Sequence, residues 1–186
     1  MTQSLKGKRV AFLVTDGFEQ VELTGPREAL EKAGARTLIA AARPGQVTGW
    51  KHTTPADRFP VEHGFDTLRI EDCDALVLPG GVVNGDNIRL DEMAQELVRD
   101  AARADKPIAA ICHGGWLLIS ADLVKGKTLT SWPSLRDDLQ NAGAKWVDRP
   151  VVVDGHLITS RRPDDIPAFS QALIEMLGGK TAQSAA

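Results

Sequence analysis

The chain has 186 residues, 42% hydrophobic and 25% charged, an ordinary globular composition and enough for one domain (1–186) with a proper core. Its net charge of -3 gives no electrostatic ground for a nucleic-acid partner or an anionic membrane, and no apolar run approaches a membrane span. Two cysteines make no disulfide framework and polar residues 1–9 carry no apolar signal core, so a reducing cytoplasm fits best.

In chain order, residues 9–15 read as a buried strand, Asp16-Gly17-Phe18 as a turn, and residues 19–33 as an amphipathic helix. Asp16 with Glu19 three residues on has the spacing of a capping box. Pro26 predicts a kink or restart inside that helix, and Gly34 its stop. Arg36–Ala41 is the second strand, so the chain opens strand, helix, strand with a right-handed crossover. Residues 43–74 hold Pro44-Gly45, Pro55, Pro60 and Gly64 and predict only short, irregular strands or hairpins. Ala75–Leu78 is another buried strand, ended by Pro79-Gly80-Gly81. Residues 90–104 have helical periodicity, with Met93, Leu97 and Ala101 on one face. Ile108–Ile111 is apolar without alternation, as a central strand buried on both faces must be. A helix follows to about residue 121, then a fifth strand over 126–130. Residues 134–142 predict a helix capped by Ser134 and stopped by Gly143. Two short strands, 151–153 and 157–160, flank Asp154-Gly155, a hairpin signal. Pro163-Asp164-Asp165 opens the last helix, and a polar tail from about residue 178 is expected to fray. Strands alternating with helices specify a three-layer α/β/α sandwich with a mostly parallel sheet and one β-hairpin.

The chemistry centres on Cys112-His113-Gly114-Gly115, placed between a buried strand and a helix. That is the layout of a nucleophile elbow, with cysteine in place of serine. A helix N-terminus favours thiolate over thiol, and the glycines allow a tight turn. Ligands of open α/β sheets bind beyond the carboxyl ends of the strands. Three such ends carry polar residues here: 15–22, 80–89 and Cys112-His113. Glu19 and Glu22 share a face of one helical turn, and either could reach the thiol or stay solvated. Gly80-Gly81 offers bare backbone N–H groups, either for an oxyanion hole with His113 or as a plain tight turn. It is no phosphate loop, lacking the Gly-Lys-Ser/Thr ending. His113 is a candidate base, with Asp86 as the nearest acid to orient it; Asp91 and Glu92 read as first-turn acids of the next helix. Trp132 lines the pocket or packs the core. His52, His63 and His156 show no ligand spacing, so neither metal nor cofactor is expected.

Asp16-Gly17-Phe18-Glu19-Gln20-Val21-Glu22-Leu23, Leu78-Pro79-Gly80-Gly81 and Ala110-Ile111-Cys112-His113-Gly114 together resemble the PfpI-type intracellular protease and deglycase family, in the class I glutamine amidotransferase-like superfamily. The resemblance runs from about residue 8 to 177. It implies a flavodoxin-like fold, a homodimer or larger ring, Cys112 as nucleophile with His113 beside it, and Glu22 as the acid on the sulfur, since Pro26 lies four residues on. It also implies that Asp86 completes a Cys-His-acid triad from the adjacent subunit, on a loop one residue longer here. Two departures stand out: Gly115 replaces a frequent proline, and Trp132 replaces a tyrosine, removing a phenolic proton donor. The resemblance implies a stress-response cysteine hydrolase acting on glycated amino groups or α-oxoaldehydes, with a cysteine peptidase or a non-enzymatic redox-sensing or chaperone protein as alternatives.

Overall fold

The computed structural model describes residues 4–179; the rest of the tail expected to fray lies outside the described residues. In order the elements are β1 (Arg9–Leu13), β2 (Phe18–Glu19), α1 (Gln20–Lys32), β3 (Arg36–Ala41), β4 (Gly45–Lys51), β5 (Thr54–Val61), β6 (His63–Gly64), β7 (Ala75–Leu78), α2 (Val82–Ile88), α3 (Glu92–Arg103), β8 (Ile108–Ile111), α4 (Gly115–Ser120), β9 (Thr128–Leu129), α5 (Arg136–Asn141), β10 (Lys145–Trp146), β11 (Val151–Asp154), β12 (Leu157–Ser160) and α6 (Ile166–Leu177). The main sheet runs β11-β12-β8-β7-β1-β3-β6. All its pairings are parallel except the hairpin pair β11–β12. Renumbering β1, β3, β7, β8 and β12 as one to five gives the doubly wound order 2-1-3-4-5, the flavodoxin-like arrangement.

The short apolar strands are buried on both faces because each face has its own core. Leu13, Leu76, Leu78, Ile108 and Ala110 pack with Leu97 and Val98 of α3, Leu117 of α4 and Leu139 of α5. The alternate residues Phe12, Val77, Ala109 and Ile111 pack with Leu23 and Leu30 of α1 and Phe169 and Leu173 of α6. Each buried Leu, Ile, Val or Phe among them contributes roughly 1.5–3 kcal/mol over its exposed state, which specifies the strand register twice over.

Several expectations are corrected. Asp16 forms no capping box: its carboxylate accepts from the Thr48 N–H at 2.6 Å, and Glu19 is itself the N-cap residue of α1. Pro26 does not interrupt α1, because the buried face of Leu23, Pro26 and Leu30 holds the helix across the missing N–H. Residues 43–74 do hold a hairpin, one of the forms expected there, but it is a long antiparallel one, β4–β5, followed by the two-residue β6 and a 3-10 turn, Ile70–Asp72. Pro55 and Pro60 fit there because β5 is the edge strand of the small sheet β2-β4-β5. Met93 is 50% exposed, and the buried face of α3 is Ala94, Leu97, Val98 and Ala101. Asp91 is the cap of α3, accepting from Ala94 N–H. The fifth strand shrinks to the two residues of β9, which pair with β10 outside the main sheet. Beyond it the backbone is taken elsewhere: Thr130 N–H goes to the Thr159 hydroxyl and Trp132 N–H to the Cys112 carbonyl. Ser134 caps nothing, since a 3-10 turn, Pro133–Leu135, leads into α5.

Candidate active site

Strands β1, β7 and β8 are neighbours, so the three polar strand ends converge at one edge of the sheet, beside the point where strand order reverses. Cys112 follows β8 with φ +60°, a left-handed conformation costing roughly 1–2 kcal/mol in a residue with a Cβ. The turn is held from below: a side chain at Gly114 would collide with the Leu78 carbonyl.

Glu22 reaches the sulfur from the first turn of α1. Its carboxyl is fully buried, accepts the Gly80 N–H at 2.8 Å and touches the Cys112 thiol. Its other oxygen, Oε1, has no conventional hydrogen-bond partner among the described residues. Burial pushes this carboxyl up to about 8, so at neutral pH it carries its proton. The Gly81 and His113 N–H groups hydrogen-bond the sulfur. The His113 Nδ1 lies 3.2 Å from Sγ, and burial pushes its imidazole down to about 4, keeping it neutral. The expected depression of the thiol is corrected. Burial, then the charge of an ionised Glu22, pushes Cys112 above the ordinary thiol range, against the pull of the two amides. α4 is only six residues long, too short for its dipole to reverse that. A protonated Glu22 removes its share of the push and can donate to a forming thiolate.

Gly80 is also corrected. Its N–H is taken by Glu22, so an oxyanion falls to the Gly81 and His113 amides. Gly80 instead supplies space: a Cβ there would stand 2.7 Å from the Cys112 Cβ, the Glu22 Oε2 and the His113 nitrogen. Asp86 lies on α2 rather than on a loop, is exposed, and does not line the pocket around Cys112 in its own chain. Trp132 does line it, stacked on His113 with centroids 6.0 Å apart and planes 27° apart.

The pocket over the sulfur has a volume of about 470 Å³. Sequence reasoning missed four of its supports. Trp116, on α4, meets His113 edge-on at 5.1 Å. His52 and Thr53, at the tip of β4–β5, form the opposite wall, and His52 donates its N–H to Glu19 at 3.0 Å. Asn84 is fully buried and clamps the Gly80 turn: its Oδ1 accepts from Thr15 N–H at 2.7 Å, and its amide donates to the carbonyls of Pro79 (3.0 Å) and Gly80 (3.1 Å). No sequence signal marks Asn84. The Gly-Gly before Trp116 was the available clue that its ring stands at the site. Cys73 is buried in the core facing α3, its thiol pushed up to about 11 by burial. Among the described residues no three of His, Cys, Asp and Glu gather so as to hold a metal ion.

The DJ-1/PfpI family matches residues 8–176. The chain belongs to that family. Deglycase PfpI of Pyrococcus furiosus is 41% identical over 169 residues, 91% of this chain and 99% of that one. Protein/nucleic acid deglycase 2 of Escherichia coli is 38% identical over 172 residues, 92% and 98%. A two-domain Anabaena variabilis protein with dj-1/thij/pfpi-like and ferritin-like domains superposes with a TM-score of 0.88 at 33% identity. The match covers 94% of this chain and 49% of that one, so this chain spans about half of it. The flavodoxin-like fold expected from the family is the one observed.

Proposed function

We propose that this family member is a cysteine-dependent enzyme acting on α-oxoaldehydes and on their early adducts with amino groups, of the deglycase and glyoxalase type, working in a reducing cytoplasm. One observation carries the reading. A protonated carboxyl, a neutral imidazole and two backbone amides converge on one strained cysteine inside a pocket of small-molecule size.

The chemistry follows from those groups. The neutral His113 takes the thiol proton as Cys112 sulfur bonds to the aldehyde carbon. As the sulfur spends its electron pair on the new bond, the Gly81 and His113 amides that held it pass to the oxygen gaining charge, and the proton follows, giving a hemithioacetal. Glu22 stays protonated beside the sulfur, so no second negative charge develops there. His113 next removes the proton from the former aldehyde carbon and returns it at the adjacent carbon through an enediol. The product is a 2-hydroxyacyl thioester. Water adds, the C–S bond breaks, the sulfur regains its proton, and a 2-hydroxy acid leaves. The net change is the addition of one water to the α-oxoaldehyde. An amino adduct enters the same route once its C–N bond breaks with the proton returned to nitrogen. Asp86 has no part within one chain, and its place as orienting acid requires a second copy.

Purified protein given methylglyoxal is expected to form lactate as the dicarbonyl disappears. Cys112→Ala is expected to lose at least about a thousandfold of that activity, as removal of a nucleophile does elsewhere. Unchanged lactate formation by Cys112→Ala overturns the mechanism.

A further inference from the structure

The mechanism uses His113 but leaves unused the two indoles around it. Trp132 lies nearly parallel to the imidazole at 6.0 Å, while Trp116 presents an edge at 5.1 Å. Both rings line the pocket over Cys112. Their positions are fixed by the backbone and by polar ties. The Trp132 backbone N–H donates to the Cys112 carbonyl at 3.3 Å, tying that residue to the elbow itself. The Trp116 Nε1–H donates to Asp138 at 2.9 Å, and the Arg89 guanidinium covers its ring 5.5 Å from the centroid. Trp116 is therefore a rigid wall with both its N–H and its ring engaged. Trp132 remains 37% exposed and Val82, also in the lining, 57% exposed. The fold thus leaves apolar surface open at the mouth, next to the reacting sulfur. The volume, about 470 Å³, lies in the range of pockets for drug-sized ligands, far more than a three-carbon aldehyde fills.

We infer that Trp132 and Trp116 form an aromatic slot that makes the site selective for α-oxoaldehydes bearing an aromatic or bulky apolar substituent. This rests on the reading above for its chemistry, not for its geometry. An aryl ring on the carbon beyond the reacting aldehyde would lie against Trp132 while the aldehyde carbon meets the sulfur. A flat ring gains offset stacking there in addition to burial of its area, whereas a methyl group gains little. Trp132 sets selectivity by touching the substituent, and Trp116, held by Asp138 and Arg89, backs the imidazole edge-on.

Two measurements separate the slot from the reaction. The first is kcat/KM for phenylglyoxal and methylglyoxal in wild type, Trp132→Phe and Trp132→Ala. The ratio of the two substrates is expected to fall at least about tenfold in Trp132→Ala and to stay within about threefold of wild type in Trp132→Phe, which keeps a ring. The second is calorimetric binding of 2-hydroxyacetophenone against hydroxyacetone, analogues that lack the aldehyde and differ only by phenyl for methyl. The phenyl compound is expected to bind at least about tenfold tighter to wild type, with that margin lost in Trp132→Ala. A margin unchanged in Trp132→Ala overturns the slot, whatever the turnover. No turnover of either aldehyde, with the margin present and dependent on Trp132, upholds the slot and overturns the proposed reaction instead. Circular dichroism of each variant confirms folding. Should Trp132→Ala misfold, Trp132→Leu, apolar without a ring, takes its place in both measurements with the same outcomes expected.

Discussion

A carboxyl cut off from water must either find cations and donors or keep its proton. Glu22 is given one amide, from Gly80, and a thiol, and it keeps the proton to about pH 8. That has a consequence for stability with a definite sign. The unfolded Glu22 releases its proton near 4.5 while the folded one holds it to about 8, so the folded state binds more protons in that window and stability falls as pH rises through it. His113 acts the other way at lower pH. Its folded imidazole is held neutral down to about 4 against 6.5 unfolded, so stability rises with pH between those values. The two oppose each other between about 4.5 and 6.5, and only the Glu22 loss remains from 6.5 to about 8. Urea unfolding at pH 6.5 and 8.5 is expected to show a decline on the order of 2 kcal/mol, and Glu22→Gln, which cannot ionise, should flatten it. An equal decline in Glu22→Gln assigns the effect to other groups. The same residue shows what sequence could and could not reveal at this scale. The spacing of Glu19 and Glu22 placed both on one helical turn but could not say which one entered the sheet edge. That depends on the sheet order, which brings Gly80 and Cys112 over α1.

At the scale of elements, the site is assembled by parts that hold little core of their own. The β4–β5 hairpin carries His52 and Thr53 to the pocket, and most of its residues are exposed. It is fastened to the start of α1 by Gln20, whose amide donates to Asp57 at 2.6 Å and whose oxygen accepts the Asp57 N–H at 2.9 Å. Gln20→Ala removes both bonds. Each is worth about 1 kcal/mol at most in an exposed position, about 2 together, so the melting temperature should drop by no more than about 4–8 °C. The hairpin tip should loosen far more. Amide exchange over residues 48–58 is expected to speed up about tenfold with the sheet strands unchanged, and the KM for methylglyoxal to rise while kcat holds. Uniform exchange across the chain would mean the hairpin is held by other contacts. Elements of this kind were also the least legible. The central strands β7 and β8 stand out as uninterrupted apolar runs because they are buried on both faces. The hairpin has two prolines and no clean alternation, since neither of its faces is continuously buried. Helix α2 was hidden by Gly85, Asn84 and two valines, a composition of low intrinsic propensity. It forms because Asn84 and Ile88 are drawn into the interior.

At the scale of the whole molecule, we propose that one surface serves as a partner face. From α2 into α3 the chain exposes Val82 (57%), Val83 (39%), Leu90 (74%) and Met93 (50%), with Asp86 among them. Apolar side chains so close in sequence, continuous through Val82 with the pocket wall, argue for a partner surface. A second copy of this chain is the occupant that would also use Asp86, by bringing it to the neighbour's His113. Sedimentation is expected to give a dimer or larger assembly, and Leu90→Asp with Met93→Asp to shift it toward the monomer. Mass alone does not show that the acid crosses between subunits, but complementation does. Cys112→Ala removes the nucleophile from its own subunit, and Asp86→Asn removes the acid from its neighbour's site. Each variant is expected to be impaired alone. In a mixed dimer one site is repaired, combining Cys112 and His113 of the Asp86→Asn subunit with Asp86 of the other. Equal mixing after dissociation and reassembly makes half the dimers mixed with one good site in each, so about a quarter of wild-type activity should return. If the mixture stays at the mean of its two parents while both remain oligomeric, Asp86 does not act across the interface, and His113 works without an orienting acid.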